Sequence, residues 1–218
     1  RDLHSFPTRR SSDLQKIQAL ETLKSLTFRA SGLTMVLKIG LVCLPVDDGL
    51  GRRRLRMAEN RKIKVYLDTS VISYLDQQDA PEQMQETREV WERIKAGQYE
   101  VFISDVVLRE LADCKEETKR NVLIGHLAEI EYNLIAVDDD IVKLAEKIVT
   151  NGILKQKNID DCQHIAAAIL SDCDIIVSWN FKHIVNVKTI RGIKVITTVE
   201  GYKDLLIYQP TALLDEEE

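Results

Sequence analysis

The 218-residue chain is 44% apolar and 30% charged with a formal net charge of −5, a balance that excludes collagen, low-complexity and disordered classes and leaves a globular protein. Four cysteines, Cys43, Cys114, Cys162 and Cys173, stand singly with no CxxC pair, which argues against a zinc finger, a thioredoxin-type motif or a disulfide scaffold and fits reduced thiols in a cytosol. No apolar run approaches the roughly 20 residues that cross a bilayer, so the expectation is a soluble, cytoplasmic protein without a membrane partner.

Residues 1–56 carry 11 Lys and Arg against 5 Asp and Glu, and residues 57–218 carry 19 against 30. The formal charge therefore changes from +6 to −11 along the chain. The opening, RDLHSFPTRRSSDL, resembles a sequencing-library adapter translated in one frame, so residues 1–14 read as a scar and residues 1–56 as a non-native leader. Met57 is then the expected natural start, with Met35 as the alternative. LTMVLKIGLVCLPV is interrupted by Lys38 and lies too far in for a signal-peptide core. The cluster Arg52, Arg53, Arg54 and Arg56 reads as solvated charge. The remainder divides into a domain over 57–210 and an acidic tail over 211–218.

From Met57 onward, IKVYLD at 63–68 reads as a strand ending in an acid, and Thr69 or Ser70 can cap the helix TSVISYL. Residues 82–96 place Met84, Val90, Trp91 and Ile94 at helical spacing between Pro81 and Gly97. EVFIS at 100–104 is a second strand, and Ser104 or Asp105 can cap the helix behind it. A helix near 117–130 leads to the strand NLIAV at 133–137, and acids from Asp138 start the next helix, where its dipole favours them. NIDDCQHIAAAILSD, capped by Asn158, precedes DIIVS at 174–178; strands are then expected at 194–197, KVIT, and near LLIY. Alternating strands and helices predict an α/β domain with three α/β/α layers and a mostly parallel central sheet.

In such sheets ligands sit beyond the carboxyl ends of the strands, where the acids stand out. Asp68 ends an apolar strand, and a carboxylate there is costly unless hydrogen-bonded or cation-bound. Glu110 lies about two helical turns past the second strand. Asp160 and Asp161 open the helix before DIIVS, with Cys162, Ile165, Ala166 and Ile169 on its apolar stripe. Asp161, His164 and Ala168 form the adjoining row, read as a rim. Converging carboxylates repel one another unless a hard divalent cation neutralises them, which points to Mg²⁺ or Mn²⁺ and to water attacking a phosphodiester.

VYLDTSVISYL, the Glu of VVLREL, DCQHIAAA and DIIVSWNFKHI together resemble a PIN domain, the nuclease fold of VapC-type toxins in prokaryotic toxin-antitoxin pairs. The resemblance spans nearly all of 62–208. It implies an RNA endonuclease using Mg²⁺ or Mn²⁺, a small antitoxin partner and a homodimer, with metal-binding acids at Asp68, Glu110 and Asp161. The fourth acidic position falls on Asn180, whose amide oxygen can still ligate a metal or orient water. Thr69, Ser70, Lys182 and His183 are the expected substrate contacts.

Taken singly, each of these residues has a plainer role. Asp68 is a common helix cap, Glu110 and Asp161 are ordinary solvated acids, and His164 is more often packed than catalytic, with metal ligation by it not expected. Trp91, Trp179 and Cys162 read as core. The domain's acidity also opposes long-range attraction to nucleic acid. The alternative to a nuclease is therefore a catalytically weak PIN-like RNA-binding or scaffold protein. A phosphatase ranks third, since LDT starts a haloacid-dehalogenase-like motif whose second Asp is replaced by Ser70.

Overall fold

The computed structural model describes residues 61–214, so the expectations for the leader, its Met35 or Met57 start and the terminal DEEE lie outside the described residues. A parallel five-stranded sheet is built from β1 (Lys64–Leu67), β2 (Glu100–Ser104), β3 (Asn133–Ile135), β4 (Ile175–Val177) and β5 (Leu206–Tyr208) in the order β3-β2-β1-β4-β5. The helices are α1 (Thr69–Tyr74), α2 (Pro81–Lys95), α3 (Asp105–Ala112), α4 (Glu117–Leu127), α5 (Asp139–Thr150), α6 (Ile159–Leu170) and α7 (Val187–Glu200).

Side chains alternate across a strand, and this alternation divides the core into two layers. Val65, Leu67, Val101, Ile103, Ile175 and Val177 pack with α1 to α4 on one face. Tyr66, Phe102, Ile176 and Ile207 pack with α5 to α7 on the other. Strands buried on both faces read as continuous apolar runs, as IKVYL does. Three α/β/α layers with a parallel sheet are thus what the chain forms.

The strand expected at 194–197 is instead the middle of α7. Its β-branched residues favour strands in isolation, but Thr189, Ile193, Ile196 and Thr197 recur at helical spacing and bury one stripe. The Asn186 side chain caps the Thr189 N–H, and Gly201 closes the helix in the left-handed conformation, so tertiary burial and both ends outweigh propensity. Gly192 lets α7 approach the loop after α5. A Cβ there would lie 2.6 Å from Ile153 Cγ1 and 2.8 Å from its Cδ1. Gly192→Ala is expected to cost about 1–3 kcal/mol, read as a lower urea midpoint; an unchanged midpoint would mean that Ile153 moves aside freely.

One boundary and several caps also differ from expectation. Residues 211–214 are not tail: Leu213 is fully buried, Arg93 donates to the carbonyls of Leu213 and Leu214, and Tyr99 Oη donates to that of Leu213. Several expected caps are employed elsewhere. Ser104, Asn158, Thr69 and Ser70 make no side-chain cap, whereas Asp138 accepts from the N–H groups of Asp140 and Ile141 as its position predicts.

Asp174, just before β4, ties the sheet's amino-terminal edge by accepting from the Lys64 N–H at 2.8 Å and pairing with Arg61 and Lys203. Burial would raise its pKa, but Lys203 and the Lys64 N–H outweigh that and hold it below the usual carboxylate range. A depressed folded pKa contributes stability above the unfolded value of about 4 that is lost as pH falls through the folded one. Asp174→Asn should therefore lower stability by about 1 kcal/mol at neutral pH, with the difference from the parent shrinking in acid. An equal difference at every pH would sink this assignment.

Candidate active site

The sheet order reverses direction between β1 and β4, because β2 and β3 lie on one side of β1 while β4 and β5 lie on the other. Open parallel sheets leave a crevice at such a switch point, outside the carboxyl ends of the strands. The residues that follow β1 and β4 meet there. Asp68 directly follows β1 and is only 5% exposed, a burial that requires donors. Ser70 Oγ and Ser178 Oγ both donate to its Oδ2 at 2.6 Å. Those hydroxyls in turn accept the backbone N–H groups of Trp179 and Asn180 at 2.9 Å. Asp68 occupies the cap position of α1 but makes no cap bond, so capping does not explain it. Oδ1 is left facing His164 Nε2 at 3.6 Å.

Glu110 reaches the same point from α3, as its spacing from β2 predicts. Its Oε2 accepts from Thr69 Oγ1 and lies 3.2 Å from His164 Nε2. Burial would raise its pKa, but the His164 hydrogen bond and charge, with Thr69 and Arg109, hold it below the usual value. His164 and Ala168 are fully enclosed, at 1% and 0% exposure, so their row on α6 is not the rim expected. Tyr66 Oη bridges Ser104 Oγ at 2.6 Å and His164 Nδ1 at 2.8 Å, fixing the imidazole so that Nε2 faces the acids. Burial would lower the His164 pKa, yet Glu110, Asp68 and Asp161 together raise it. The sequence offered no signal for Tyr66 or Ser178, which look like ordinary strand residues, and it marked Ser104 only as a candidate helix cap.

Asp161, at the start of α6, is half-buried, and its Oδ1 accepts from Asn180 Nδ2 at 2.7 Å. Desolvation first, then the charge of Asp68, raises its pKa to about 6. Asn180 Oδ1 accepts from the His183 N–H at 3.0 Å. Since a backbone N–H only donates, this bond fixes the amide orientation and turns the NH₂ toward Asp161. Asn180 therefore presents a donor to the acids where an amide oxygen was expected. Lys182 and His183 stand off the acids, in the wall of a neighbouring cavity.

Asp68, Glu110 and His164 each offer a ligand atom within 4.8 Å of the others, a group that could hold a metal ion. Among the described residues, Asp161 lies outside that group. His164 is packed as expected, and its Nε2 also belongs to this group, a position for which the sequence reading did not expect metal ligation. The donors fit a divalent cation. Two buried or half-buried carboxylates converge here, and Oδ2 of Asp68 is saturated by hydroxyls while Oδ1 is not. Cys162, beside Asp161, is fully buried and its thiol is pushed up to about 12 by burial, so it is a core residue and no nucleophile. Trp179 is likewise packed, donating to Thr87 Oγ1 at 2.8 Å and stacking on Tyr74.

A doubly covered parallel sheet with acids gathered at its switch point defines an acid-site α/β/α protein. The PIN domain family matches residues 65–182, over half of the chain, and the chain belongs to that family. PIN domains are in general nucleases. The chain is also similar to a solved structure of VapBC2 from Rickettsia felis bound to a DNA fragment from its promoter, at 15% identity and a TM-score of 0.44, covering 67% of this chain and 98% of that one. No curated protein matches. Among the described residues no helix is long and apolar enough to cross a membrane.

Proposed function

We propose that this protein is a Mg²⁺- or Mn²⁺-dependent endoribonuclease, the toxin half of a toxin-antitoxin pair restrained by a small antitoxin and acting as a cytoplasmic homodimer. The carrying observation is the buried Asp68 carboxylate at the switch point, held by two serines and faced by Glu110 and His164. The toxin role, the antitoxin and the dimer rest on family membership alone.

Asp68 and Glu110 would hold the ion, with Asp161 beside them. When bound, the ion supplies an activated water and stabilises the leaving oxygen of the phosphodiester. The chain's residues position everything else. Ser70 and Ser178 lock the Asp68 carboxylate, Thr69 steadies Glu110, and Tyr66 with Ser104 fixes the His164 ring. Asn180 holds Asp161 with a neutral donor, which avoids adding a fourth negative charge to a crowded site.

The test incubates the protein with mixed-sequence single-stranded RNA in Mg²⁺, Mn²⁺ or EDTA. Metal-dependent products with 5′-phosphate and 3′-hydroxyl ends are expected. A folded protein that binds metal and RNA without cutting would favour the second reading, an RNA-binding or scaffold protein. The observation behind that reading is Asn180, and it requires Asn180→Asp to raise metal affinity sharply.

A further inference from the structure

A cavity of about 210 Å³ opens beside the acid cluster, between the turn that precedes α6 and the first turn of α7. Its rim carries Lys155, Lys157, Lys182 and Lys188 together with His183, and no acid lines it. All four lysines are exposed, and none is ion-paired among the described residues, whereas Lys95, Lys143, Lys147, Lys194 and Lys203 each have a carboxylate partner. In a chain of net charge −5, four unpaired cations around one concavity are a local reversal of sign. Such an arrangement repels itself and is relieved by an anion.

The hydrogen-bond pattern adds direction to the charge. Asn158 Nδ2 lies 2.8 Å from His183 Nδ1, so the amide donates and Nδ1 accepts. The neutral ring then carries its proton on Nε2 as a further donor. Burial, then Lys182 and Lys157, lower the pKa of His183, which agrees with a neutral ring in a positive field. The first turn of α7 adds the positive end of a 14-residue helix.

The cavity is also joined to the acids. His183 N–H donates to Asn180 Oδ1, and Asn180 Nδ2 donates to Asp161 Oδ1. One short segment, residues 180–183, thus forms a wall of both. We propose that the lysine cavity seats a backbone phosphate of the RNA strand, neighbouring the phosphate that is cut, so that cavity and acid cluster are two stations on one substrate path. This rests on the endoribonuclease reading and adds how an acidic domain grips its polyanion: phosphate contacts position the strand and carry no sequence information.

The test uses the full chain carrying Asp68→Asn, binding a fluorescein-labelled single-stranded RNA in EDTA across a KCl series. Adding Lys157→Gln, Lys182→Gln and Lys188→Gln should weaken binding by about tenfold or more and reduce the slope of log affinity against log salt by about one, as expected for the loss of one or two phosphate contacts. The matched triple variant Lys143→Gln, Lys147→Gln and Lys194→Gln removes the same charge elsewhere and should leave affinity within about twofold. Inorganic phosphate should compete for RNA on the parent and not on the cavity variant.

Equal losses in the two triple variants, or no loss in the cavity variant, would overturn the proposal. Phosphate binding without RNA binding would overturn it too, assigning the cavity to a small anion. If the cavity variant in an Asp68 background cuts RNA at the parent's rate and KM, the cavity assignment fails while the nuclease reading stands. Absence of any RNA binding or cleavage by the parent would remove both.

Discussion

Asp68→Asn is expected to reduce metal-dependent RNA cleavage by on the order of 10²–10³-fold or more, the loss that follows removal of one preorganised electrostatic contact, while leaving the fold intact. The reason lies in the two oxygens. Oδ2 is held by the Ser70 and Ser178 hydroxyls, and an asparagine oxygen can accept both. The amide nitrogen would then stand where Oδ1 does, presenting N–H to a site that calls for an anionic oxygen. Removing one negative charge also eases repulsion with Glu110 and Asp161, so the metal-free variant should melt at or slightly above the parent's temperature. Cleavage rate, a Mn²⁺ binding isotherm and a thermal melt check this together. Full activity in the variant would remove Asp68 from the reaction, and an unfolded variant would make it a structural residue.

His164→Ala should have the largest effect on stability. The ring fills buried space, bonds Tyr66 Oη, and faces Glu110 at 3.2 Å and Asp68 at 3.6 Å. Deleting it leaves a cavity and removes the imidazole that bonds Glu110 and faces Asp68 Oδ1, a loss of about 3–5 kcal/mol in metal-free protein. Mg²⁺ should restore part of it, since a ligand of the native state adds about 2.7 kcal/mol at a hundredfold excess over its dissociation constant. Urea unfolding with EDTA and with Mg²⁺ measures both numbers. An unchanged metal-free midpoint would show that the acids need no partner at that position, and no recovery with Mg²⁺ would show that the ion is held only when His164 is present.

These expectations place His164 in a role that its sequence context did not reveal. On α6 it sits in a run of buried residues, Cys162 to Ile169 with Gln163 as the half-buried exception, and helical spacing alone assigns it to packing. Its second role depends on Tyr66, ninety-eight residues earlier, and on an α3 carboxylate. The family resemblance likewise pointed to Asn180, which lies beside Asp161, but not to which end of its amide faces the acids. That was decided by the His183 N–H, through the turn that residues 180–185 adopt.

By itself the sequence determined the α/β alternation, the first two strands, the carboxylates at strand and helix ends and the family likeness. These are local quantities: apolar periodicity, turn chemistry and the cost of an acid in an apolar run are written in neighbouring residues. Only the tertiary structure decided that residues 194–197 continue a helix, where burial and capping overrode β-propensity. It also decided that residues 211–214 close the core, that Ser178 and Tyr66 hold the site, and that four lysines surround one cavity. The physical reason is common to all four. Each depends on contacts between segments far apart in the chain, brought together by a strand order that reverses at β1 and β4.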